Sequence, residues 1–127
     1  MPISHDHIMG LKDTARFKYE DRETILYALG TGFGRDPLNV AELPFVYEGA
    51  GLVASPLMAC VLQGGGAIIA GSGINFLMMV HGEQRVTLHA PLPPRGEIVS
   101  ESRATACVDK GEGKGAVIVY TSELKTG

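Results

Sequence analysis

The sequence predicts an α+β domain in which a curved antiparallel sheet wraps a buried helix that is interrupted near its middle. Three observations predict it. Residues 49–80 contain no Asp, Glu, Lys, Arg or His, and within them Leu57, Met58, Ala59, Cys60, Val61 and Leu62 follow Ser55-Pro56 without a polar face. A helix apolar on all sides must be enclosed by protein. Gly64-Gly65-Gly66 then weakens that helix at mid-length, because each interior glycine costs about 1 kcal/mol relative to alanine. Alanine at Gly65 or Gly66 is therefore expected to firm it. Finally, residues 85–90 alternate apolar and polar, residues 97–109 are small at nearly every even position, and residues 116–125 return across a charged glycine turn. A two-residue period marks strands, and small side chains let a sheet approach a helix closely.

The other elements follow in order. Residues 15–19 read as a short strand with Phe17 and Tyr19 on one face and Arg16 and Lys18 on the other. A helix starts at Asp21, which suits an N-cap, and carries Ile25, Ala28 and Leu29 as an apolar stripe before Gly30 stops it. Ser55 is the expected N-cap of the central helix, and Pro56 fits its first position, where a missing N–H costs nothing. Pro91-Leu92-Pro93-Pro94 must turn, since prolines cannot donate to a ladder.

Composition excludes several classes of function. With 127 residues, 45% hydrophobic and 20% charged, residues 1–127 make a single globular domain. A net charge of −3, with 11 scattered Lys and Arg, offers no field for nucleic acid. A membrane span needs about 20 unbroken apolar residues, and Ser55-Pro56, Gln63, the glycines and Asn75 interrupt this run. Cys60 and Cys107 lack Cys-x-x-Cys spacing, which favours free thiols in a reducing compartment. His5, Asp6 and His7 read as a solvated terminal arm in preference to a metal site.

Gly30-Thr31-Gly32-Phe33-Gly34 is not a nucleotide fingerprint, since Arg35 stands where its last glycine belongs and the run leaves a helix. Glu48 is the lone charge between Glu42 and His81 and opens onto the apolar run. Two readings stay open for it: a partly desolvated carboxylate that serves chemistry, or one that accepts backbone N–H bonds and pins a loop. The lysines of the turn at residues 109–115 face either an anionic ligand or only solvent. No metal, cofactor or hydrolase motif is present, so the residues alone lead to an α+β domain with an apolar pocket.

Taken together, Tyr19-Glu20-Asp21-Arg22-Glu23, Asp36-Pro37, Phe45-Val46-Tyr47-Glu48, Val80-His81-Gly82-Glu83-Gln84 and Leu88-His89-Ala90-Pro91-Leu92-Pro93 resemble one family. It is the N-terminal half of type 2 enoyl-CoA hydratases, MaoC-like dehydratases with the hot-dog fold, over residues 13–125. The resemblance implies hydration of a trans-2-enoyl-CoA to the (3R)-hydroxyacyl-CoA, a lyase reaction without a cofactor. One side chain takes a proton from water, another protonates the α-carbon, and backbone N–H groups hold the thioester oxyanion. In such enzymes the Asp and His belong to a Gly-Asp-x-Asn-Pro-x-His motif of the C-terminal unit. Residues 32–39 here lack the histidine, so this chain alone is expected to be inactive.

The N-terminal unit's implied task is to receive the acyl tail. The broken helix is expected to open a cavity at Gly64, Gly65 and Gly66 lined by Leu57, Met58, Val61, Leu62, Ile68, Phe76 and Met78, with Tyr47 and Glu48 near its mouth. Glu48 takes a supporting role. Relatives continue into a strand that lies between two others, so the final strand is expected from outside this chain. The implied partners are an acyl-CoA and a second hot-dog unit, on the same or a separate polypeptide, in a cytoplasmic dimer or larger assembly. Alternatives are a non-enzymatic acyl-CoA or acyl-carrier binding module and a hot-dog thioesterase, for which Glu48 would be the only base.

Overall fold

A computed structural model describes residues 3–127. The chain divides into two compact units, one drawing on the chain up to Arg16 and on Gln63–Gln84 and Val99–Lys125, the other on Phe17–Leu62, Arg85–Ile98 and Thr126–Gly127. Three strands, β1 (Lys12–Tyr19), β2 (Gly96–Asp109) and β3 (Ala116–Thr126), form a sheet in the order β1-β2-β3. The alternation in the sequence sets its faces. Along β1, Asp13, Ala15, Phe17 and Tyr19 are covered while Lys12, Thr14, Arg16 and Lys18 are exposed, and along β2, Ile98, Ser100, Ser102 and Ala104 are buried. The hairpin between β2 and β3 is closed by the Lys110 N–H donating to the Gly115 carbonyl at 3.0 Å, and Ser102 and Ser122 join their hydroxyls across it at 2.6 Å.

In the first unit, helix α1 (His5–Met9) occupies the stretch expected to be a solvated arm. That expectation is corrected because the stretch carries its own anchor. Ile8 is fully buried and packs with Ile68 and Ala104, with Leu11, Cys107, Ile118 and Tyr120 around them, and burying a side chain of this size is worth about 1.5–3 kcal/mol. His7 Nε2 donates to the Gly71 carbonyl at 2.7 Å, so this histidine is tied down as well.

In the second unit, helix α2 (Asp21–Gly30) has its N-cap one residue earlier than expected. Glu20 is its N-cap, with its N–H donating to Glu23 Oε2 at 2.8 Å. Asp21 is instead held by Arg95, whose Nε and Nη2 donate to the two carboxylate oxygens at 2.6 and 3.0 Å. The buried face of α2 is Thr24 and Ala28, whereas Leu29 is about half exposed. Thr24 reaches the core because its hydroxyl has a partner there, donating to the Pro94 carbonyl at 2.6 Å. The Tyr19 hydroxyl donates to the Pro93 carbonyl at 2.5 Å, so both prolines serve as acceptors where neither can donate. A short helix α3 (Leu43–Val46) follows, and Phe45 rests on Phe33 with ring centroids 4.6 Å apart.

Residues 85–90, expected as a strand, form none, and every one of them is exposed. Alternation decides which way side chains point, but a strand exists only through a neighbour's ladder, and this stretch lies outside the β1-β2-β3 order.

Candidate functional site

The central segment departs from the expected helix in two ways. Its first half, Pro56–Val61, is a 3-10 turn, in which the Ser55 carbonyl accepts the Met58 N–H at 3.0 Å. The Ser55 side chain makes no capping bond. Only one face of this turn is covered: Met58, Ala59 and Leu62 are buried, whereas Leu57 and Val61 are 59% and 56% exposed. The expectation of a helix enclosed on all sides is therefore corrected, because within its own unit the turn meets protein along one side only.

The second half, α4 (Gly66–Gly71), begins after Gly65, whose φ of +106° no L-residue adopts cheaply. Residues 62–65 between the halves are not helical. Their freed N–H groups are taken by the sheet. Gly65 N–H donates to Asp13 Oδ2 at 2.8 Å and Ala67 N–H donates to the same oxygen at 3.2 Å. Gly64 N–H donates to Ser100 Oγ at 2.8 Å. A Cβ at Gly65 would overlap the Tyr120 ring, and one at Gly64 would lie 3.1 Å from the Ala15 Cβ. The glycines thus let the backbone press onto the sheet where two polar side chains wait for it.

The second unit carries an apolar groove of about 370 Å³ lined by Tyr27, Thr31, Phe33, Ser55, Pro56 and Leu57. The Thr31 hydroxyl is engaged by the carbonyls of Tyr27 and Ala28, both at 3.1 Å. Burial pushes the Tyr27 hydroxyl up from its ordinary value, with the Cys60 thiol adding to the shift. No carboxylate or imidazole lines this groove, so it offers an apolar surface rather than acid–base chemistry.

The expected site residues fall into both units. Tyr47 is half exposed, and Glu48 opens a short turn, Glu48–Ala50, with its side chain in solvent. Of the two readings open for Glu48, its exposure does not favour the partly desolvated one. Leu57 lines the groove, Met58 and Leu62 are buried, and Val61 is exposed. In the other unit Gly64, Gly65 and Gly66 sit at the break, Ile68 belongs to the core around Ile8, and Phe76 and Met78 are 57% and 81% exposed. Sequence reasoning missed Tyr27, Thr31 and Phe33 in the groove, and Asp13, Ser100 and Tyr120 at the break. Asp13 had left a signal: a carboxylate on the strand face that also carries Ala15, Phe17 and Tyr19 needs donors.

A second recess, of about 420 Å³, is lined by Ile3, His5, Cys107, Asp109 and the hairpin glycines. Among the described residues no three His, Cys, Asp or Glu side chains converge as metal ligands. No helix among them is long and apolar enough to cross a membrane.

The family described as the MFE-2 hydratase 2 N-terminal domain matches residues 17–127. The chain belongs to that family. The 3-hydroxyacyl-thioester dehydratase Y of Mycobacterium tuberculosis is 32% identical over 124 residues, covering 94% of this chain and 41% of that protein. The mouse peroxisomal multifunctional enzyme type 2 is 36% identical over 105 residues, covering 75% of this chain and 14% of the enzyme. A solved MaoC-like dehydratase from Phytophthora capsici superimposes with a TM-score of 0.77 at 26% identity, covering 98% of this chain and 45% of that one. This hydratase 2 N-terminal domain therefore has the hot-dog fold of MaoC-like dehydratases, as the resemblance implied. It spans less than half the length of the relatives named here.

Proposed function

We propose that this chain is the acyl-tail-binding half of a (3R)-specific enoyl-CoA hydratase, acting in either direction on 3-hydroxyacyl thioesters. A second hot-dog unit, on the same or another polypeptide, supplies the Asp and His that move protons between water and the α-carbon. This chain supplies room for the tail, and Glu48 on its exposed turn has a supporting role. The observation that carries the reading is the interruption of the central segment at residues 62–65. An unbroken apolar helix would leave no room beside it, whereas the turn that precedes the break exposes Leu57 and Val61, apolar side chains accessible to an alkyl chain. Methionine suits such a wall, because an unbranched thioether repacks around ligands of different shape.

The same proposal makes the completed assembly a dimer or larger and places it in the cytoplasm. The test is enoyl-CoA hydration by the chain alone and together with a unit carrying Gly-Asp-x-Asn-Pro-x-His. Turnover is expected only from the pair, on crotonyl-CoA and on longer enoyl-CoA. Substantial turnover by the isolated chain would place the dyad here after all, and none from the pair would sink the hydratase reading.

A further inference from the structure

The triple glycine makes a break in the central segment permissible, but permission is not a cause. Three glycines raise the energy of a helix without choosing any alternative path for the backbone. What chooses the path lies on the sheet. Asp13 Oδ2 accepts from two amides, Gly65 at 2.8 Å and Ala67 at 3.2 Å, and Ser100 Oγ accepts from the amide of Gly64 at 2.8 Å. Those amides belong to the break and to the first turn of α4, which an uninterrupted helix would have satisfied internally.

We propose that Asp13, assisted by Ser100, is a positioning residue that fixes the break at residues 62–65 and thereby sets which acyl chain lengths the site accepts. The inference rests on the tail-binding reading above. Asp13 stands on the covered face of β1 and Ser100 on the buried face of β2, so two neighbouring strands grip consecutive amides. A charged acceptor makes the grip stronger than a neutral one. The oxygen that accepts both bonds is a single one, Oδ2, so an oxygen in that place matters more than the charge it carries. Asn presents such an oxygen, while Ala presents none. Tyr120, against which Gly65 packs, closes the remaining side.

Two measurements on the same variants test this. The first is amide hydrogen exchange at Gly64, Gly65 and Ala67, which needs no substrate. Asp13→Ala should speed exchange at Gly65 and Ala67 by about tenfold, Asp13→Asn should restore protection, and Ser100→Ala should release Gly64 alone. The second is the ratio of kcat/KM for a long-chain enoyl-CoA to that for crotonyl-CoA, in the chain paired with its completing unit. Asp13→Ala should lower that ratio by about tenfold, and Asp13→Asn should hold it within about twofold of the parent. Should Asp13→Ala fail to fold, Ser100→Ala and Asp13→Asn carry the test. Unchanged exchange, exchange that rises uniformly through the unit, or an unchanged ratio despite local release would overturn the proposal. A parent pair that hydrates neither substrate would sink the hydratase function instead, while the exchange data still judge the grip.

Discussion

Gly65→Ala and Gly66→Ala are adjacent, chemically identical substitutions for which the structure demands opposite signs. At Gly65 the backbone has φ +106° and a new Cβ would run into the Tyr120 ring. Holding an L-residue in that region costs about 1–2 kcal/mol. Displacing a packed ring costs a further 1–3 kcal/mol or so, for roughly 2–5 kcal/mol in all. Gly66 is the first residue of α4 and has open space where its Cβ would go, so alanine there stabilises by up to about 1 kcal/mol. An unfolding entropy of about 2.1 cal/mol/K per residue gives a chain of this length about 0.27 kcal/mol/K. Gly65→Ala should then lower Tm by roughly 7–19 °C and Gly66→Ala should raise it by up to about 4 °C. Thermal unfolding followed by circular dichroism reads both. A Gly65→Ala chain as stable as the parent, or two shifts of the same sign, would show that the break does not have the backbone described.

The Tyr19 hydroxyl is raised from 10.0 by burial, so the folded state keeps that proton to a higher pH than the unfolded chain does. Its contribution is complete below the ordinary tyrosine value and is lost as pH rises through the raised one. Tyr19→Phe should lose about 1 kcal/mol at neutral pH with the hydrogen bond to Pro93, and urea titrations between pH 9 and 11 should show the parent losing more stability than the variant. Equal slopes would refute this. The Arg95–Asp21 pair raises the guanidinium further above its ordinary value, chiefly through the hydrogen bond to Asp21, yet Arg95 lies in water. Asp21→Asn should lower Tm at low ionic strength, and the difference should vanish near 1 M NaCl, where the Debye length falls to about 3 Å. A loss that persists there would mean the pair holds the proline turn by geometry rather than charge.

Periodicity carried the parts of this fold that depend on faces. The inward row of β2, from Ile98 through Ser100 and Ser102 to Ala104, and the Phe17/Tyr19 face of β1 could be read because a strand's side chains alternate whatever its neighbours are. Residues 85–90 alternate just as well and form no strand, since pairing is a property of two segments and only one is visible in a pattern. The break at the glycines was legible as a weakness, but not its direction. Whether Gly65 turns to positive φ depends on Asp13, Ser100 and Tyr120, which lie 35 to 55 positions away in the sequence. The groove around Tyr27, Thr31 and Phe33 was hidden for a related reason. It is assembled from a helix exit and a 3-10 turn, neither of which has a period to detect. Asp21 was misassigned because its sequence context suits a cap and only the fold brings Arg95 to it.

The strand order has a consequence in time. β1 leaves the ribosome before β2 and β3, yet its neighbour in the sheet is β2, which starts only at Gly96. At about 5–20 residues per second, synthesis of the intervening segment takes roughly 4–15 s, during which Phe17 and Tyr19 have no sheet to join. The β2–β3 hairpin, by contrast, closes over a handful of residues within microseconds of emerging. Nascent chains should therefore assemble from the back forward, with the hairpin waiting for nothing and β1 recruited last, and the early apolar face of β1 is the segment that a cotranslational chaperone would have to hold.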